Sequence, residues 1–75
     1  MRPELCLRAR ELLNWTQHDL ALRVRCSVQT IRNLERGHYR ASAITWGNLL
    51  STFEAAGLEF TDGNAPDVRF RSGAE

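Results

Sequence analysis

The chain has 75 residues, enough for one small domain that buries only about 60% of the surface its unfolded chain exposes. No apolar run approaches the ~18 residues of a membrane span and Met1-Arg2-Pro3-Glu4 opens no signal peptide, so a cytoplasmic protein is expected, with no membrane partner. The net charge is +1, but residues 1 to 40 hold eight arginines against Glu4, Glu11, Asp19 and Glu35 (net +4), while residues 41 to 75 hold Arg69 and Arg71 against five acids (net −3), a lopsidedness that suits one polyanion-facing half and one partner-facing half.

From Pro3 to Leu13 the pattern is helical. Pro3 suits a first turn, Glu4 favours the positive helix end, and Leu5, Ala9, Leu12 and Leu13 make an apolar stripe with Cys6 beside it. Asn14 stands where a helix often ends in the left-handed conformation, which Asn tolerates. Trp15 follows as a half-buried residue between the first two helices.

The stretch from Thr16 to Gly37 reads as two short amphipathic helices around a tight turn. Thr16 caps the first, Asp19 makes a near capping box, and Leu20, Ala21 and Val24 form its buried stripe, with Ala21 small enough to let a second helix cross closely. The turn falls at Arg25-Cys26. Ser27 caps the second helix, Ile31 and Leu34 face inward, and Val28, Gln29, Arg32, Asn33 and Arg36 remain largely outward. Gln and Asn can pair with adenine, Arg with guanine, and Val can touch a thymine methyl, so that face carries a plausible major-groove code.

This stretch resembles the lambda-repressor-like, Xre/Cro-type helix-turn-helix family through Thr16-Gln17, Leu20-Ala21, Ser27, Thr30-Ile31 and Glu35-Arg36-Gly37. Ala9-Arg10, Leu12-Leu13 and the run Phe53 to Gly57 resemble its flanking helices, so residues 4 to 60 are covered. The chain departs from the family at Arg25, where glycine is usual because the position tends to be left-handed. The resemblance implies that Arg10 lies against Glu35 as a structural ion pair. It also implies that Val28, Gln29, Thr30, Arg32 and Asn33 read bases, while Gln17, Arg36, His38, Tyr39 and Arg40 contact phosphates.

Downstream, Gly37 ends the second helix and residues 38 to 40 form a loop. Ser42 caps a further helix whose stripe is Trp46, Leu49, Leu50, Phe53 and Ala56, ended by Gly57; Gly47 inside it costs about 1 kcal/mol unless a close contact explains it. The period then changes to 2. Leu58 to Thr61 and Val68 to Arg71 alternate around the turn formers Asp62 to Pro66, which predicts a β-hairpin; residues 72–75 are expected to fray.

The expected fold is therefore mainly α: a lambda-repressor-like four-to-five-helix DNA-binding domain over residues 1–57, with a C-terminal β-hairpin over 58–71. Cys6 and Cys26 have no metal-ligand or redox spacing and read as reduced core thiols, and His18 and His38 have no ligand-like neighbours, so no metal is expected. No paired carboxylates, nucleophile-base pair or glycine-rich phosphate loop suggests an enzyme or a cofactor. The expected function is a sequence-specific regulator of transcription, a repressor, bound to a palindromic site in double-stranded DNA. It is expected to be a homodimer joined through Trp46, Leu58, Phe60, Val68 and Phe70. An antitoxin-type autoregulator, or a protein-interaction module on the same scaffold, is the alternative.

Overall fold

A computed structural model describes residues 3–61 and 67–71. Four helices, α1 (Pro3–Leu12), α2 (Gln17–Val24), α3 (Val28–Glu35) and α4 (Ala43–Ala55), precede a two-stranded antiparallel sheet of β1 (Leu58–Thr61) and β2 (Asp67–Phe70). The residues expected in the hairpin turn, Asp62 to Pro66, and the expected frayed tail, Ser72 to Glu75, lie outside the described residues.

Each helix begins and ends where local chemistry dictates. Thr16, Ser27 and Ser42 cap α2, α3 and α4, each accepting from the backbone amide three residues on, so orphan N–H groups of the first turns are satisfied. At α2 the capping box is complete, because Asp19 also accepts from the Thr16 amide at 2.9 Å. The stops are left-handed: Asn14 (φ 61°) after α1, Arg25 (φ 59°) after α2 and Gly37 (φ 78°) after α3. After α3, the Gly37 amide donates to Leu34 and the His38 amide to Asn33, the paired bonds that close a helix at a left-handed residue.

The core gathers Leu5, Cys6 and Ala9 of α1, Leu20 and Ala21 of α2, Ile31 and Leu34 of α3, and Leu49 and Phe53 of α4. One expectation for α1 is corrected: Leu12 is 37% exposed rather than within the apolar stripe, while Cys6, expected as a core thiol, is fully buried. The buried face is rotated toward Cys6 because Arg10, next along that side of the helix, turns inward to Glu35. Trp15 is half-buried as expected and stacks on Phe53 of α4 at 6.1 Å between centroids, with the Arg23 guanidinium of α2 4.3 Å above its ring.

The hairpin belongs to the same core. Its register pairs Leu58 with Phe70 and Phe60 with Val68, so these four share one face, while Glu59 pairs with Arg69 (2.6 Å) on the other. Leu58 and Val68 are 0% and 2% exposed, Phe60 tilts against Phe53, and Arg8 of α1 reaches Asp67 at 2.9 Å. The expected dimer face is corrected accordingly: Leu58 and Val68 are buried under the chain's own helices and offer nothing to a partner, Trp46 and Phe60 are half-buried, and Phe70 alone of the set is exposed. A two-stranded sheet is marginal by itself, and α1 and α4 supply the apolar surface it lacks.

Gly47 has open space where a Cβ would stand, so no packing contact within the chain offsets its cost in helix propensity. Arg25, by contrast, holds a conformation that its Cβ disfavours. Arg25→Gly is expected to raise stability by about 1 kcal/mol, moving the thermal midpoint up by about 4–8 °C in a domain of this size. Calorimetry of the two proteins checks this.

Candidate nucleic-acid interface

The α2-turn-α3 unit is positioned by a polar knot around Glu35, the last residue of α3. Arg10 of α1 grips its carboxylate with both Nε (2.8 Å) and Nη2 (3.1 Å), and uses Nη1 to reach the Trp15 carbonyl at 3.0 Å. Gln17 of α2 adds Nε2 at 3.0 Å and the Cys6 thiol donates at 3.9 Å. One carboxylate thus ties three helices, with the Arg10 and Glu35 side chains only 14% and 6% exposed. The implied Arg10–Glu35 pair is present, and the forked geometry is the one in which guanidinium and carboxylate bind most strongly.

Several charges are shifted by these surroundings. The hydrogen bond to Glu35 raises the Arg10 pKa, keeping it charged. Burial, followed by the negative charge of Glu35, pushes the Cys6 thiol up to about 12, and burial also raises Cys26. The Thr16 amide holds the Asp19 carboxyl below its ordinary value. Cys26 is only partly buried, so the pair of core thiols expected from sequence is one core thiol and one peripheral one.

The Gln17 side-chain amide gives one N–H to Glu35, which leaves its second N–H and the backbone N–H groups of the first turn of α2 for a phosphate.

The outer face of α3 carries an ordered set of polar side chains. Arg32 Nη1 donates to Gln29 Oε1 at 3.0 Å, and Gln29 Nε2 donates to Asn33 Oδ1 at 3.0 Å. The Thr30 hydroxyl is shared with Ser27 at 2.8 Å, and Val28, expected to be largely outward, is half-buried against the core. Beyond the helix, Arg36, His38, Tyr39 and Arg40 are exposed, and among the described residues neither Arg36 nor Arg40 has a carboxylate within ion-pair distance. Gly37, Tyr39, Arg40 and Ala41 border an open cleft of about 260 Å³ closed by Pro3 and Trp46.

Sequence reasoning missed the Gln29-Arg32-Asn33 chain, although its i, i+3, i+4 spacing signals that the three can touch. The Cys6 contact with Glu35 had no such signal, since 29 residues separate them. Among the described residues no cluster of His, Cys, Asp or Glu could hold a metal, and no helix is long and apolar enough to cross a membrane.

Two capped helices around a tight left-handed turn, with the second presenting amides and guanidinium groups outward, define a DNA-binding helix-turn-helix domain. A family model described as Helix-turn-helix matches residues 7–56, and the chain belongs to this Xre/lambda-repressor-like family of DNA-binding regulators. The family is generally non-enzymatic. A search of curated proteins finds no match.

The knot makes two outcomes measurable. Glu35→Ala leaves Arg10 charged and partnerless in a largely closed site, and is expected to destabilise by about 3–5 kcal/mol, whereas replacing both partners together, Arg10→Met with Glu35→Leu, costs much less. Denaturant titration of the wild type and both variants tests this. Timed alkylation followed by mass spectrometry should label Cys26 and spare Cys6 until the chain unfolds, since Cys6 is both enclosed and protonated at neutral pH.

Proposed function

We propose that the protein is a sequence-specific transcriptional repressor that acts in the cytoplasm, binding a palindromic operator in double-stranded DNA as a homodimer. The observation that carries this reading is the outer face of α3, where Gln29, Arg32 and Asn33 form one connected donor-rich surface continuous with the exposed Arg36 and Arg40. An ordinary solvated helix carries mixed charges there; this one offers groups matched to base edges and phosphates.

In this reading Val28, Gln29, Thr30, Arg32 and Asn33 face the bases, and Arg36, His38, Tyr39 and Arg40 hold the backbone, joined by the main-chain amide of Gln17. One recognition helix touches too few bases to single out an operator, so two copies would place their α3 helices in successive major grooves about 34 Å apart. Phe70, 52% exposed at the end of β2, supports an interface at that edge of the molecule, with the half-buried Phe60 on the same face of the hairpin.

Fluorescence anisotropy with selected and scrambled duplexes tests the DNA-binding reading. Arg40→Ala is expected to weaken binding to both alike and to make the dependence of log affinity on log salt shallower by about one, whereas Asn33→Ala loses preference for the selected duplex. Sedimentation with and without operator tests the dimer: Phe70→Glu should shift it toward monomer without unfolding the chain, and a wild-type monomer both free and on DNA contradicts it.

A further inference from the structure

The side-chain chain on α3 decides which bases this helix can accept. Bidentate pairing of an amide with adenine requires its oxygen to accept from the adenine amino group while its nitrogen donates to N7. In this protein both amide oxygens on the recognition face are already accepting: Gln29 Oε1 from Arg32 Nη1, and Asn33 Oδ1 from Gln29 Nε2, each at 3.0 Å.

The polarity of this chain is not free to reverse. A guanidinium has only donors, so the Gln29 atom facing Arg32 must be its oxygen; the Gln29 nitrogen is then turned toward Asn33, which must answer with its own oxygen. The positive charge at the head polarises both links in the same sense. Of the bonding capacity still unspent, donors outnumber acceptors: the rest of the Arg32 guanidinium, the second N–H of Gln29 and both N–H groups of Asn33, against one lone pair on each amide oxygen. The base edge that best complements a donor-rich surface is one that presents only acceptors.

In the major groove that edge is guanine, with N7 and O6 side by side; adenine and cytosine each place an amino group there and would set donor against donor. We propose that Arg32 reads a guanine in each half-site, that Gln29 acts as the positioning residue that aims its guanidinium, and that Asn33 serves as a donor rather than as an adenine reader. This inference rests on the DNA-binding reading above and revises its assignment of Gln29 and Asn33.

The experiment is selection of bound duplexes from a random pool by the full chain, followed by affinity measurements on the winning site. A guanine should be invariant in each half-site. Replacing it by 7-deazaguanine, which lacks the N7 acceptor, should weaken binding about tenfold. Arg32→Ala should abolish both the guanine preference and the sensitivity to 7-deazaguanine. Gln29→Ala should cut guanine discrimination severalfold while leaving the melting temperature and the salt dependence unchanged, and Gln29→Glu, which still accepts from Arg32, should restore the discrimination. Enrichment of adenine at the contacted position, or unaltered guanine discrimination in Gln29→Ala, overturns this inference while leaving DNA binding intact. Failure of any duplex to be enriched overturns the DNA-binding reading and this inference with it.

Discussion

The Glu35 carboxylate is the point on which the arrangement depends. It stands at the end of α3, and its oxygens are bonded by Arg10 from α1, by Gln17 from α2 and by the Cys6 thiol, so the angles between three helices are coupled to one group. A charge so enclosed is tolerable only while its partners stay in place, which converts a local contact into a constraint on the whole helix-turn-helix. Arg10 also bonds the Trp15 carbonyl, linking the same knot to the connection between α1 and α2.

Around this knot a very small core has to be completed. Four helices alone would leave one side of α1 and α4 bare, and the hairpin covers it with Leu58, Phe60 and Val68, reinforced by the Arg8–Asp67 ion pair. The hairpin is thus a structural part of the domain. Its polar face, with Glu59 and Arg69 paired, is turned outward. Of these contacts only Arg8–Asp67 sets an arginine of the N-terminal half against the acidic excess of the C-terminal half, while the arginines at the end of α3 and in the following loop have no ion-pair partner among the described residues. Among the described residues, the electrical asymmetry visible in composition therefore survives folding as a basic region beside the recognition helix.

The recognition surface is rigid at its base and organised at its rim. Ser27 caps the start of α3, Gly37 ends it, and Ile31 and Leu34 bury its inner side, so Gln29, Arg32 and Asn33 project from a helix anchored in the core. Their mutual hydrogen bonds restrict long side chains before any ligand arrives, which lowers the entropy lost on binding.

The sequence by itself determined the elements and their order. Caps at Thr16, Ser27 and Ser42, left-handed stops at Asn14 and Gly37, and the change from a period of 3.6 to one of 2 after Gly57 are local signals, written in residues within a turn of one another. The outward set on α3 was legible for the same reason, and the Arg10–Glu35 pair through its family signature. Only the tertiary structure decided how far α1 is rotated, burying Cys6 and exposing Leu12; where Trp15 stacks; that Gln17 turns to Glu35; and that Leu58 and Val68 are spent on the chain's own core. Those outcomes depend on which surfaces compete for the same space between residues far apart in the chain, and periodicity reports which faces are apolar without reporting what will cover them.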